Sequence, residues 1–256
     1  VNLPRLGFGV SGAHGTPLVP EPLTAKLIHQ AIEGGVNLFD TAPFYGESEA
    51  RLGRALKGVS RDRFLISTKL GKVRHGSGLA ADFSSASLRR QLEASLKTLR
   101  VETIDILFLH GPPEKLSDEA RAAFLTFKSE GKARALGVCG RGPEIATNAE
   151  GMDAIMAPAF SRWAPFAQER GLAFLGIEAM TGAIRPPGAP TLGDVWRFAR
   201  FLRRERTKSS EMTPNVALAA ALAGPGVTSV LVTTTSPAHL AACLAVAGLD
   251  GGAARA

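Results

Sequence analysis

Cysteine is nearly absent from this chain: Cys139 and Cys243 are the only two in 256 residues. Two unpatterned thiols make neither a disulfide framework nor a zinc site of the spaced Cys/His kind. Both lie in apolar stretches and read as buried thiols, so no metal is expected. Also missing is any apolar run near the roughly 20 residues that cross a bilayer. The start, Val1-Asn-Leu-Pro-Arg-Leu6, lacks the basic-then-apolar pattern of a secretory leader, which makes a cytoplasmic location without a membrane partner the expectation. No Gly-x-Gly-x-x-Gly turn opens a helix after the first apolar run. Gly7, Gly9, Gly12 and Gly15 have the composition without the spacing, and Pro17 and Pro20 interrupt the next segment. Tyrosine occurs once, at Tyr45.

What is plentiful is positive charge, +7 net with a pI near 9.8. Most of it is scattered. The exception is Arg197, Arg200, Arg203, Arg204, Arg206 and Lys208, which alternate with apolar residues at helical spacing and predict an amphipathic helix with its charges in water. No aromatic stacking platform or zinc-finger spacing accompanies it, and no nucleic-acid partner is expected. The expected assembly is a monomer or weak oligomer.

Short apolar runs alternate with helical patterns almost from end to end. Candidate strands are 5–10, 36–39, 64–69, 104–110, 134–138, 153–156, 172–176 and 229–232, rich in β-branched residues as strands buried on both faces are. Helical patterns cover 22–34, 84–99, 117–131 and 213–223. Leu88, Leu92, Leu96 and Leu99 form one apolar stripe, Ser117 with Asp118 and Glu119 suits a helix start, and Gly34 and Gly131 suit helix ends. Eight strand–helix repeats predict an α/β fold, a closed (β/α)8 TIM barrel spanning 1–256 as a single domain, with an open doubly wound sheet as the alternative. The longer loops expected at the mouth are 71–83 and 180–190. His14, Phe44, His75 and Trp163 are candidates to line a pocket there.

Four ionisable residues fall at or just past the C-terminal ends of these strands: Asp40, Tyr45, Lys69 and His110. In a parallel barrel those ends converge on the face where its chemistry is found. A phenol near pKa 10 needs tuning to carry a proton at neutral pH, and a neighbouring ammonium supplies it by favouring the phenolate. Asp40 would keep Lys69 charged, and His110 would bond a substrate oxygen or carry a second proton. Each residue alone also fits a cap, a solvated strand end, a packing ring or a satisfied core histidine. Their shared position is what makes them a site, one that moves a proton to or from an oxygen.

Val36-Asn-Leu-Phe-Asp-Thr-Ala-Pro-Phe-Tyr-Gly-Glu-Ser-Glu49, Ser67-Thr-Lys69 and Asp105-Ile-Leu-Phe-Leu-His110 resemble the aldo-keto reductase superfamily. So do Gly131-Lys-Ala-Arg-Ala-Leu-Gly-Val138 and Gly226-Val-Thr-Ser-Val-Leu-Val232 with its following Thr235-Ser-Pro237. The resemblance runs through nearly the whole chain and is nearer the bacterial, short-looped members. It implies an oxidoreductase that transfers hydride between NADP or NAD and a small aldehyde, ketone or alcohol. On that likeness Tyr45 is the proton donor, Asp40 and Lys69 tune it, and His110 orients the carbonyl.

The cofactor side departs from the family pattern. Cys139-Gly140 stands where the family has Ser-Asn on the nicotinamide carboxamide, Met156 replaces a Gln, and Ile177 replaces a stacking Tyr. At the adenosine end, Thr233, Thr234 and Thr235 take the place of a basic residue on the 2′-phosphate. His239 corresponds to a second basic position, and Cys243 to an Asn on adenine. Losing charged phosphate contacts weakens binding by about 1.5–3 kcal/mol each. Threonine hydroxyls and a helix start after Ser236-Pro237 remain able to hold a phosphate. These departures leave two alternatives open: non-redox lyase, isomerase or hydrolase chemistry at the same acid–base site, and a non-catalytic barrel used as a scaffold.

Overall fold

In the computed structural model, residues 2–75, 78–180 and 212–249 are described, with side chains for all but 74–79. Eight strands close into a parallel barrel. They are β1 (Leu6–Gly9), β2 (Leu38–Asp40), β3 (Leu65–Leu70), β6 (Ile104–His110), β7 (Ala133–Cys139), β8 (Ala154–Pro158), β9 (Ala173–Ile177) and β10 (Ser229–Val232). Around the barrel they run β1-β10-β9-β8-β7-β6-β3-β2. A separate antiparallel hairpin, β4 (Lys72–His75) and β5 (Gly78–Ala81), follows the third barrel strand. The sequence predicts a loop over that stretch, because Gly71-Lys-Val and Leu79-Ala-Ala are too short to signal a hairpin by alternation. The closed barrel excludes the open-sheet alternative.

The helices are α1 (Glu21–Glu33), α2 (Ser48–Ala55), α3 (Ser85–Leu99), α4 (Asp118–Ser129), α5 (Glu144–Asn148), α6 (Trp163–Glu169), α7 (Pro214–Ala223) and α8 (Pro237–Val246). Their starts obey local chemistry: the hydroxyls of Ser117, Thr213 and Ser236 accept from the third backbone N–H beyond them in α4, α7 and α8. The leucine stripe of α3 is buried against the barrel wall. The predicted basic helix over 197–208 and the loop 180–190 beyond Met180 lie outside the described residues.

Period-two alternation divides each strand between two cores. Outward residues such as Phe39, Ile66, Leu107, Leu109, Val138 and Phe174 pack beneath the helices. Inward ones, Leu38, Ile106, Phe108, Ala135, Cys139, Met156, Leu175 and Leu231, fill the lumen. Asp40 lies two residues beyond Leu38, His110 two beyond Phe108, and Lys69 two beyond Ser67. The same alternation that packs the lumen therefore turns all three into its upper layer. Register brings them together: Asp40 pairs with Ser67, Lys69 with Phe108, and His110 with Cys139.

Candidate active site

Lys69 is the centre of the upper layer. Its ammonium bonds Asp40 Oδ1 at 2.7 Å and Oδ2 at 2.5 Å, and donates to the Thr41 carbonyl at 2.9 Å. Ser67 Oγ donates to Asp40 Oδ1 at 2.7 Å, which ties the acid to its neighbouring strand. Lys69 is 2% exposed and Asp40 5%. Burial works against the ammonium, yet the carboxylate of Asp40 outweighs it, and Lys69 is held above the ordinary lysine range.

Tyr45 is mounted differently, on a single 3-10 turn (Pro43–Tyr45) just past β2. Gly46 follows at φ 66°, ψ −125°, a backbone shape that side-chain-bearing residues rarely adopt. The turn is braced from outside. Ser48 Oγ donates to the Tyr45 carbonyl at 3.0 Å, and Gly15 approaches that carbonyl so closely that a Cβ there would fall on it. Arg51 of α2 holds the Gly15 loop by donating to the carbonyls of His14, Thr16 and Val19 at 2.7–3.2 Å. The phenol is half-buried, with Lys69 Nζ 5.1 Å from its ring centroid. Burial raises the Tyr45 pKa above 10.0, and the charge of Lys69 pulls it back only in part. The direction of the lysine's effect agrees with the sequence reading, but desolvation is larger in this structure.

His110 closes the group. Its ring stands edge-on to Tyr45 at 5.8 Å and to Phe44 at 5.5 Å between centroids. Burial, followed by the charges of Lys69 and Lys72, pushes its pKa down to about 2, so the imidazole is neutral at any working pH. Its Nδ1 is buried without a hydrogen-bond partner among the described residues, as is Thr41 Oγ1 beside Asp40. A neutral imidazole can hydrogen-bond a carbonyl or hydroxyl but has no imidazolium proton to give, which favours the orienting role over proton carriage.

The nicotinamide candidates cluster around the same mouth. Cys139 pairs with both His110 and Met156, and Ile177 ends β9 opposite Pro158. Burial pushes the Cys139 thiol up to about 11, so it stays protonated. Gly140 N–H is already committed to the Met156 carbonyl at 3.0 Å. Met156 itself is fully buried in the lumen, which makes it a floor under the site. At the other rim Thr233 Oγ1 lies 3.3 Å from Ser11 Oγ, Thr234 and Thr235 follow, and His239 is exposed on the first turn of α8. Cys243 needs a correction: it is buried in the core beneath α8, so its thiol packs instead of facing a ligand. Among the pocket candidates Phe44 lies on the site, but His14 and Trp163 do not line it. His14 is fully buried, bonded to Thr24 Oγ1 at 3.1 Å and the Thr234 carbonyl at 2.9 Å. Trp163 is 3% exposed and donates to the Arg141 carbonyl at 3.2 Å. Both hold loops in place. His75 has its side chain outside the described residues.

Sequence reasoning missed Ser67 and the Arg141–Glu178 pair. Ser67 was legible, since it sits two residues before Lys69 on the same strand face. Arg141 bonds Glu178 at both oxygens, 2.6 Å each, joining the ends of β7 and β9; nothing in a 37-residue separation announces that pair. Among the described residues no cluster of acidic, histidine or cysteine side chains is arranged for a metal ion, and no helix is long and apolar enough to cross a membrane.

A closed parallel barrel with a lysine–aspartate pair, a phenol and a neutral imidazole in its C-terminal layer is the architecture the sequence resemblance implies. Residues 5–170 match the model of the aldo/keto reductase family, and the chain belongs to that family. It is 34% identical over 152 residues to the L-galactose dehydrogenase of Arabidopsis thaliana, covering 56% of this chain and 46% of that one. It is also 34% identical over 157 residues to the NADH-specific methylglyoxal reductase of Escherichia coli K12, covering 54% and 48%. The chain thus spans about half the length of the curated relatives it matches. The holo aldo-keto reductase of Bacillus halodurans superposes with a TM-score of 0.77 at 26% identity, over 94% of this chain and 86% of the other.

Proposed function

We propose that this chain is an oxidoreductase that interconverts a small aldehyde or ketone and its alcohol, with Tyr45 as the acid and base. The observation that carries the reading is the half-buried phenol beside an ammonium that Asp40 fixes by two bonds. In the reducing direction Tyr45 gives its proton to the carbonyl oxygen as carbon gains hydride. Lys69 stabilises the phenolate left behind, which solvent then reprotonates. His110, neutral, bonds the same oxygen through Nε2 and sets its angle. In the oxidising direction the proton returns to Tyr45. Positioned proton transfer of this kind contributes about 10²–10⁴ in rate.

A nicotinamide dinucleotide, NADH or NADPH, supplies the hydride when bound. The residues present fit one through hydroxyls and backbone more than through charge. The Cys139 and Ile177 side chains, at the ends of β7 and β9, border the space for the ring. Ser11, Thr233, Thr234, Ser236 and the first backbone N–H groups of α8 form a rim suited to phosphate oxygens. That rim has no lysine or arginine within 233–236, so NADH is expected to bind at least as tightly as NADPH.

Titration of tryptophan fluorescence with NADH and NADPH, paired with turnover of wild-type and Tyr45→Phe protein, tests the reading. Saturable binding of either dinucleotide, with turnover lost in the variant, is the expected result. Undiminished turnover in Tyr45→Phe overturns it. Absence of dinucleotide binding to millimolar concentration transfers support to the proton-only chemistries.

A further inference from the structure

Lys72 opens β4, three residues beyond Lys69, and its side chain turns back over the site. Its Nζ stands 5.5 Å from the Phe44 ring centroid. Its Cε and Nζ lie 3.4 Å from where a Cβ on Gly111 would sit, directly after His110. Phe44 meets His110 edge-on, and His110 meets Tyr45. Phe44 also meets Tyr45 at 6.1 Å, so the three rings form a triangle at the mouth with the Lys72 ammonium beside its Phe44 corner.

Three cations face this group, and their charges are not equally satisfied. Lys69 is bound by Asp40. Arg141, whose charge is felt together with that of Tyr45, is held at both nitrogens by Glu178. Lys72 has no carboxylate, carbonyl or hydroxyl partner among the described residues, and its ammonium stands over the face of Phe44. Half-buried and set against the Phe44 ring, its ammonium keeps a positive potential over His110 that no protein anion cancels among the described residues. A cleft of about 500 Å³, lined by Phe83, Ser84, Gly111, Pro112 and Ser117 among others, starts at the same glycine. The cleft adjoins the site at Gly111, the residue that the Lys72 ammonium also approaches.

We propose that Lys72 receives a carboxylate of the substrate, so that the carbonyl compound reduced here is an oxo acid whose acid group lies apart from the reacting carbon. The proposal rests on the reductase reading for its chemistry and on Lys72 alone for its specificity. The chain between the two groups passes over Phe44. Tyr45 and His110 hold the carbonyl end, and Lys72 the acid end. Arg141 does not compete, because Glu178 already occupies both faces of its fork.

The test compares 4-oxobutanoate with its uncharged methyl ester, methyl 4-oxobutanoate, on wild-type, Lys72→Met and Lys72→Arg protein with NADH or NADPH. The readout is the ratio of the two kcat/KM values. Wild type is expected to favour the carboxylate, and Lys72→Met to lower that ratio by about 30-fold, the worth of one charge-assisted contact. Lys72→Arg should restore most of it. An even ratio in wild type, or a ratio unmoved by Lys72→Met, overturns the proposal. Turnover of the ester establishes the reductase chemistry whatever the ratio. Should neither aldehyde turn over, calorimetric titration with butanedioate decides the matter independently: binding about tenfold or more weaker in Lys72→Met supports the anion site, and equal binding removes it.

Discussion

Two buried aspartates hold cations at opposite ends of this barrel. At the top, Asp40 is bonded by Lys69 and Ser67. At the bottom, Asp105 is fully buried and bonded by Arg61 at 2.6 Å, Arg134 at 2.9 Å and the Ile66 N–H at 2.8 Å. The lower cluster ties strands together: Arg61 also donates to the Phe64 and Thr103 carbonyls, and both arginines extend outward to solvent. Guanidinium suits that work, being a rigid fork that never gives up its proton. The upper cluster uses a point charge buried beside a titratable phenol. One ion-pair chemistry thus clamps at the bottom and tunes at the top, and the difference lies in which group the cation faces next.

The sharpest break of that contrast is Tyr45→Phe, which leaves both aspartate clusters intact. Turnover should fall by about 10²–10⁴ with the melting temperature unchanged, as steady-state kinetics and calorimetry would report. Lys69→Met comes next, because it leaves Asp40 buried without its counter-charge. A loss of about 3–5 kcal/mol in denaturant unfolding is expected, together with lost turnover. Adding Asp40→Asn should recover stability without recovering activity. Asp105→Asn makes the opposite pairing: about 2–3 kcal/mol lost in unfolding, with kcat/KM of the folded enzyme within about twofold of wild type. A large fall in kcat/KM there would mean the floor also shapes the mouth.

The smallest effect is in acid. His110 and His14 both have folded pKa values below the ordinary 6.5, each chiefly through burial. The unfolded chain takes up protons near 6.5 while the folded one stays neutral, so stability is full above that pH and declines as pH falls below it. His110→Asn should flatten the slope of unfolding free energy against pH by up to one proton. An unchanged slope would show that the ring is not desolvated as described.

Strand ends were legible because alternation is a backbone property: once Leu38 and Phe108 face the lumen, Asp40 and His110 must as well. The lysine–aspartate pair followed from that rule and from charge. The Tyr45 pKa did not, since its direction depends on how much water the turn and Phe44 exclude, which spacing does not encode. His14 and Trp163 misled for a related reason. A polar ring in a loop near the mouth reads as a ligand contact until its partners, Thr24, the Thr234 carbonyl and the Arg141 carbonyl, are known. Cys243 is assigned by correspondence with a family position, and a helix rotation of a fraction of a turn moves such a residue from rim to core.

An enzyme that handles aldehydes exposes its own amines to them, and a lysine in the reaction chamber is the obvious casualty through imine formation. Lys69 escapes by protonation. Only a neutral amine has the lone pair that attacks a carbonyl, and the Asp40 carboxylate holds this one as ammonium well beyond the ordinary lysine range. The pair that tunes the phenol therefore also keeps Lys69 itself unreactive toward the compounds the site is proposed to receive.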